Sequence, residues 1–439
     1  MRVKLLTLGC KVNRAETEAL DRLLRAAGHE IVSAGEPEAL ILNTCAVTGA
    51  SAGKSRRLTR RLRREHPSAC LIVTGCWTQL QSAEAAALGA DFVLGTQERA
   101  AAADCLNIWA AGGERAAAQM VRPYGDRAEY EELAAPAASG PVRAMLKIQD
   151  GCGGGCAYCA VPSARGPSRS RAPEAALAEA AALVAAGARE IVLTGINIGL
   201  YGQENGAAAG WDLGGLARAV AAVPGLLRLR LGSLEPQDCT EKLVQTMSDL
   251  PVFCPHWHLP LQSGANSVLA RMGRVYWTED YRRALELLRA AWPEAAVTAD
   301  VMAGFPGETA EEHETSRRFI AGCDLAGLHV FPFSRREGTA AAALPDEPRS
   351  RKDARVRDLL AVGAAARAAY CGRHIGREAK ILLEYVDLAG KSGGHTENYI
   401  NVTLPAVLNP GDWRPGRVVT AALREEYITG VKEDVNTDG

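Results

Sequence analysis

Short apolar runs alternate with amphipathic stretches through the first hundred residues. VKLLTLG, ALILNT, CLIVTG and DFVLGT, starting at Val3, Ala39, Cys70 and Asp91, are separated by helical periodicity near 15–26, 50–65 and 78–88. Uniformly apolar runs this short, each followed by a helix, predict a parallel sheet covered by helices. Periodicity lapses over 113–142, where Gly, Pro and acidic residues gather, and that segment reads as a linker.

A second series begins at 143. RAMLKIQ, EIVLTG, LRLRLGS, HWHLPLQ, VTADVMAG and LHVFPFS alternate with helical stretches that include 174–186, 265–290 and 308–321. Six strand–helix units fall short of the eight in a closed barrel, so 143–372 reads as a partial (β/α)6 barrel ending in a long helix. Polar or glycine-rich positions follow each strand: the Cys152 loop, Gly195 and Asn197, Ser233 and Glu235, Gln262, Gly304 to Gly307, and Ser334 to Arg336. Barrel enzymes place their active sites at that face. From 373 to 430 the pattern turns to β runs (AKILLEYV, ENYINVTL, RVVTAAL) punctuated by Gly and Pro, as in a small oligonucleotide-binding-type barrel. Residues 431–439 form a polar tail. The fold class is therefore α/β, with an amino-terminal domain over 1–112, a partial barrel and a small carboxy-terminal β-barrel.

Bulk properties narrow the reading. A chain of 439 residues has room for two or three domains. Lys and Arg number 50 against 51 Asp and Glu, so no global field draws in nucleic acid and any such binding rests on local patches. Between 376 and 424 there are six Lys/Arg and five Asp/Glu, which leaves the small β unit nearly neutral. The opening MRVKLLTLGC faintly imitates a lipoprotein signal, but Lys4 interrupts its short apolar run. No apolar stretch reaches membrane-spanning length, and a soluble protein without membrane partners is expected. Twelve cysteines in so long a chain do not form a small disulfide scaffold; they group by motif, which points to free thiols in a reducing cytoplasm.

Cys152, Cys156 and Cys159 in DGCGGGCAYC supply three thiolates within eight residues, one fewer than closes a four-iron cluster. The fourth iron is then open to a substrate. A zinc knuckle would want a fourth ligand nearby, and the next cysteine is Cys239. His256 and His258, two apart on one strand, are expected to pack or hydrogen-bond. Cys10, Cys45 and Cys76 each follow an amino-terminal strand, in TLGC, LNTC and VTGC. Strand carboxyl ends of a parallel sheet share one edge, so these three converge on a second three-thiolate site. Buried structural cysteines are the plainer alternative. Cys70, at the start of its strand, belongs to the core, and Cys105, Cys239, Cys254, Cys323 and Cys371 are expected non-ligands. In KSRRLTRRLRRE, Lys54, Arg57, Arg61 and Arg64 share one helical face, with Leu58 and Leu62 inward; phosphate binding and a solvated face both fit.

TLGCKVNRAETEAL, GCGGGCAYCAVPSARGPSRSR, LGSLEP, HLPLQSGANSVLARMGR, DVMAGFPGET, VFPFSRREGT and GHTENYINV together resemble the methylthiotransferase branch of the radical S-adenosylmethionine (SAM) enzymes over nearly the whole chain. TLGCKVN, ARGPSRSR and SRREGT are most similar to the members acting on N6-threonylcarbamoyladenosine in tRNA. Sister enzymes act on isopentenyladenosine in tRNA or on an aspartate of a ribosomal protein. The resemblance implies two [4Fe–4S] clusters, S-adenosyl-L-methionine, tRNA, an electron donor and a sulfur source. It implies a radical SAM barrel over 143–372, a TRAM-type barrel over 373–430, and a methylthiotransferase domain over 1–112 holding the second cluster on Cys10, Cys45 and Cys76. Tyr158, Gly195, Asn197, Ser233, Glu235, Gln262, Gly304 and Gly307 are the implied cofactor-side residues. The reaction implied is hydrogen abstraction from C2 of the modified adenine followed by sulfur insertion and methylation. Gly153, Gly154 and Gly155 depart from the family pattern and loosen the first cluster loop.

The threonyl carboxylate needs a cation in its pocket, since an unpaired buried charge is costly. Arg335 and Arg336, after the sixth strand, are the expected partners and are assigned a catalytic role, with Arg165 next in line. An RNA-binding iron–sulfur protein without turnover is the non-enzymatic alternative. Simple electron carriers favour four cysteines per cluster, whereas two three-cysteine sites favour an enzyme.

Overall fold

Both faces of the central strands of the amino-terminal sheet are covered, which is why those strands are apolar along most of their length. The computed structural model describes residues 1–112, 118–125, 129–133, 140–204, 206–408 and 413–429; the 431–439 tail lies outside the described residues. Strands β1 (Arg2–Thr7), β2 (Glu30–Ile31), β3 (Ala39–Thr44), β4 (Cys70–Gly75), β5 (Phe92–Leu94) and β6 (Ala118–Met120) pair in parallel, in the order β2-β1-β3-β4-β5-β6. Period-two alternation sends Leu40, Leu42, Leu71 and Val73 to one core with Leu62 and Trp77. It sends Val3, Ile41, Cys70 and Ile72 to the other, with Leu20 and Leu24. The segment expected to be a linker thus donates an edge strand, β6, and the sheet runs past residue 112.

Helix α1 (Lys11–Ala26) lies between two units. One face carries Leu20 and Leu24 into the sheet's core, while Ala15 on another face packs on Met145 and Val192 of the second unit. That unit comprises β7 (Arg143–Lys147), a short antiparallel pair β8 (Gln149–Asp150) and β9 (Arg169–Ser170), then β10 (Glu190–Thr194), β11 (Arg228–Leu231), β12 (His256–His258), β13 (Ala296–Ala303) and β14 (Gly327–Pro332). Parallel triplets β7-β10-β11 and β12-β13-β14 are joined by bridges Leu229↔Phe253 and Ser233↔His258. No pairing closes β14 onto β7 among the described residues, so the barrel is partial. Its outer face buries Leu146, Leu193, Leu229, Trp257 and Val301 beneath the helices. Helix α1 therefore occupies part of the inner face. The stretch 265–290 is two helices, Asn266–Arg271 and Thr278–Ala291, parted by a turn at Gly273 with φ +71°.

After the helix Arg349–Gly372 the chain forms an antiparallel sheet of β15 (Glu378–Val386), β16 (Ser392–Thr396), β17 (Asn401–Leu404) and β18 (Val418–Ala422), ordered β17-β16-β15-β18. This sheet sits against the end of the barrel where the strands begin. Arg228 donates to the carbonyls of His395 (2.7 Å) and Lys380 (2.8 Å), and Arg230 to those of Glu397 (2.8 Å) and Thr396 (2.7 Å). Tyr399 stacks on His256 with ring centroids 4.0 Å apart, and its hydroxyl accepts from Arg143 at 3.1 Å.

Candidate active site

Cys45 and Cys76 directly follow β3 and β4, and Cys10 follows β1 after Leu8 and Gly9, at the sheet edge shared by the strand carboxyl ends. Two glycines permit the approach. Gly9 has φ +105°, and a Cβ there would fall 2.6 Å from Cβ of Cys45. Gly75 has φ +108°, and its Cβ would meet the Thr44 carbonyl at 2.4 Å. Asn13 ties the turns together by donating to the carbonyls of Leu8 and Thr44, both at 2.8 Å. Cys45 and Cys76 are buried, while Cys10 keeps accessible surface although protein surrounds the position, as at the wall of a crevice. Burial pushes the Cys10 and Cys76 thiols up, Cys76 to about 12; Arg165 pulls both down, and the neighbouring Cys45 adds to the rise. Loading a metal here must displace protons from these sulfurs.

Arg165 joins this edge to the barrel. It is 1% exposed and uses all five N–H donors: Nε to Cys76 Sγ (3.2 Å), Nη1 to Glu16 (2.8 Å) and Asp150 (2.9 Å), Nη2 to Asn13 (2.8 Å) and Glu16 (3.1 Å). Lys147 and Arg99 complete the neutralisation of Glu16, and these cations hold the Glu16 and Asp150 carboxyls well below the usual range against the opposing effect of burial. Arg165 is thus unavailable to a substrate carboxylate, contrary to its place as next candidate. Asp150 in turn accepts from the Gly151 amide at 2.8 Å, one residue before Cys152.

The loop of Cys152, Cys156 and Cys159 is anchored at both ends. The Cys152 amide bonds the Gly166 carbonyl (3.0 Å), and the Ala157 amide bonds that of Met272 (2.9 Å). Gly154 N–H points at Cys152 Sγ (3.3 Å), Val161 N–H at Cys159 Sγ (3.4 Å), and Arg274 Nη1 at Cys156 Sγ (3.0 Å). Burial raises the Cys152 thiol and raises Cys159 to about 12, with these amides opposing it. Among the described residues no trio of His, Cys, Asp or Glu is drawn together as ligands of a single ion. Three sulfurs per site, with Gly154, Val161 and Arg274 donating to sulfur in one and Arg165 in the other, fit a cluster that spreads its thiolates over several irons.

The remaining expected residues surround this loop unevenly. Gln149 Oε1 accepts from the amides of Ile196 (3.0 Å) and Asn197 (2.9 Å), while its Nε2 reaches the Gly151 carbonyl (2.7 Å), so the Gly195 turn is fastened to the loop. Asn197 Oδ1 and Gln262 Oε1 are buried with no partner among the described residues. Ser233 pairs with His258, and Glu235 forms an ion pair with Arg274. Tyr158 packs against the apolar cluster that contains Met272, Met302 and Phe305. Gly304 is buried, with a Cβ there falling 2.5 Å from Lys352 Cγ and its amide held by Glu308, and Gly307 is exposed. Arg335 is exposed and donates to the Leu344 carbonyl at 2.7 Å. Arg336 is half-buried, its Nε has no partner, and burial together with the charge of Arg56 lowers its pKa. His258 bonds Thr298 (2.9 Å) and approaches Asp300 (3.4 Å), whose other oxygen faces His329 (3.3 Å).

Arg165, Asn13, Glu16, Gln149 and Arg274 organise both sites, yet periodicity does not distinguish them. For Arg165, Asn13, Glu16 and Gln149 the signal is a charged or amide residue inside a cysteine-flanking motif; Arg274, in LARMGR, is far from any cysteine in sequence. Helix α2 (Gly49–Glu65) keeps Leu62 buried and Leu58 half-buried, with Arg57, Arg61 and Arg64 exposed.

Comparison with known proteins adds to this geometry. The description Radical SAM superfamily matches residues 146–320, and Uncharacterized protein family UPF0004 matches residues 2–95. The chain is 38% identical over 403 residues to a threonylcarbamoyladenosine tRNA methylthiotransferase MtaB of Bacillus subtilis, covering 90% of this chain and 88% of that protein. It is 35% identical to the protein of the same description from Thermotoga maritima, covering 91% and 90%. Among solved structures, the radical S-adenosylmethionine methyltransferase TsrM of Kitasatospora setae shares the fold, with a TM-score of 0.55 at 15% identity and 77% coverage of each chain.

Proposed function

The chain belongs to the radical SAM methylthiotransferases, and from that premise we propose that it adds a methylthio group to C2 of N6-threonylcarbamoyladenosine in tRNA. The observation that carries the reading is the pair of three-cysteine sites bridged by Arg165 and Asp150, matched to relatives of that description over nine-tenths of the chain. Cys152, Cys156 and Cys159 would hold a [4Fe–4S] cluster with S-adenosylmethionine, beside Tyr158, Asn197, Glu235 and Gln262. Cys10, Cys45 and Cys76 would hold a second cluster. When bound, these groups supply radical chemistry at an unactivated carbon and a sulfur for transfer.

The protein's own part is to place the base between the two sites and to exclude water. Gln149 and Asp150 fix the first loop, Asn13 and Gly9 fix the second, and Arg165 sets one against the other. Between the two expected carboxylate partners, Arg336 is favoured over Arg335. Its guanidinium is half-buried beside Arg56, and no carboxylate pairs with it among the described residues. A substrate anion would relieve that desolvated charge. A tRNA substrate implies a cytoplasmic protein; no helix of the described residues is long and apolar enough to cross a membrane. Nucleoside analysis of tRNA from a strain lacking this gene should show threonylcarbamoyladenosine without its methylthio form, restored by the intact gene. An unchanged methylthio form would overturn the assignment.

A further inference from the structure

Arg274 does at the first cysteine loop what Arg165 does at the second site: it touches both a cysteine sulfur and a carboxylate. Its backbone belongs to the turn after the helix Asn266–Arg271, and that turn is pressed on the cysteine loop: a Cβ on Gly273 would lie 2.9 Å from the Gly155 carbonyl. The side chain is 6% exposed. Nη1 donates to Cys156 Sγ at 3.0 Å, the other terminal nitrogen pairs with Glu235, and the guanidinium lies 4.7 Å from the Tyr276 ring centroid. Tyr276 is itself fixed, its hydroxyl donating to the carbonyls of Pro260 (2.8 Å) and Leu261 (2.9 Å). The guanidinium is thus confined on three sides, with one charged N–H on a sulfur.

We propose that Arg274 is a positioning residue that sets the reduction potential of the cluster carried by Cys152, Cys156 and Cys159, with Glu235 as the counter-charge. Reduction adds one electron, supplied in the test by dithionite, to a cluster already rich in negative charge. A cationic N–H on one thiolate stabilises the reduced form and raises the potential, as hydrogen bonds to cluster sulfurs do in general. Glu235 opposes that effect through its own charge while fixing where the guanidinium sits. The other two cysteines of the loop receive only backbone N–H donors, so the one charged N–H donor falls on Cys156 while the Arg274 charge also reaches Cys152 and Cys159 more weakly through space. The inference rests on the reading above only in that a cluster occupies this loop.

The test is a potentiometric titration of the anaerobically reconstituted full-length protein, followed by EPR. The relevant signal is the one that changes when S-adenosylmethionine is added; the titration itself is run without it. Arg274→Gln should make the cluster harder to reduce, by about tenfold in the reduction equilibrium, or about 59 mV for a one-electron couple. Arg274→Lys, which keeps the charge, should shift less, and Glu235→Gln should shift in the opposite direction. An unmoved potential in Arg274→Gln with full iron content would overturn the proposal. If Arg274→Gln fails to hold iron, Glu235→Gln decides, and no shift there overturns it equally. A cofactor-responsive signal with unmoved potentials sinks this inference alone. Absence of any such signal sinks both it and the functional reading.

Discussion

Two arginines adjacent in sequence, Arg335 and Arg336, meet different surroundings, and the difference predicts different roles. Arg335 spends a donor on the Leu344 carbonyl at the surface, whereas Arg336 has a buried Nε without a partner and a second cation, Arg56, beside it. Replacing Arg336 with Met should reduce methylthiolation at least tenfold while leaving iron content and cofactor cleavage intact, and Arg335→Met should leave all three near wild type. Equal effects of the two would remove Arg336 from the pocket. Asp238 offers a pH test at the same scale. Its Oδ2 is buried without a partner, and burial lifts its carboxyl to about 6. A folded pKa above the unfolded value of about 3.9 means the folded state binds the proton more tightly, so ionisation costs stability as pH rises from about 4 through about 6. Asp238→Asn should therefore raise the thermal midpoint of the cofactor-free protein more at pH 7.5 than at pH 4.5. Equal gains at the two pH values would show that the carboxylate charge is not the cause.

At the scale of elements, legibility followed the strength of the hydrophobic pattern. β3 and β4 are six-residue runs buried along their whole length, and the ALILNT and CLIVTG runs give them away. β16, SGGHT, has almost no apolar content; its neighbours β15 and β17 dictate it through pairing, which no local pattern records. β6 was hidden in the same way inside a polar segment, because an edge strand needs only one partner. The cysteine loops were legible because spacing alone carries their chemistry, while the Arg165 network was not, since buried charge is a tertiary property. Helix α2 is an intermediate case. Its amphipathic pattern is plain, yet the structure turns Arg63 inward to the Gly89 carbonyl (2.8 Å) and Asp91, leaving Lys54, Arg57, Arg60 and Arg64 without an ion pair among the described residues. Neutralising Arg57, Arg61 and Arg64 together should flatten the slope of log affinity for tRNA against log salt by about 2–3, at roughly 0.7–0.9 per phosphate contact. An unchanged slope would assign the helix to solvent.

At the scale of the whole molecule, the carboxy-terminal sheet is part of the barrel's structure as well as a candidate RNA-binding surface. Arg228 and Arg230 are 2% and 0% exposed, and four of their N–H bonds end on carbonyls of residues 380 and 395–397. Tyr399, in the left-handed region at φ 65°, closes the same end by stacking on His256 beneath Arg143 and Arg230. Deleting the chain from His374 onward would strip these partners from buried cations in one step. Each buried donor left unsatisfied costs about 1–3 kcal/mol, and more when charged. Several together rival the net stability of a domain, about 5–15 kcal/mol. The truncated chain is therefore expected to unfold at a markedly lower temperature, or to fail to fold, and to lose iron from the barrel. Its loss of tRNA binding would then say nothing about RNA contacts. A truncated chain with an unchanged thermal midpoint and full iron content would show that the docked sheet contributes no stability. Tyr399→Ala in the full chain isolates the plug from the RNA-facing surface. It should lower the midpoint by a smaller amount while leaving the salt dependence of tRNA binding unchanged. A changed salt slope in that variant would mean that the plug and the RNA surface are one and the same.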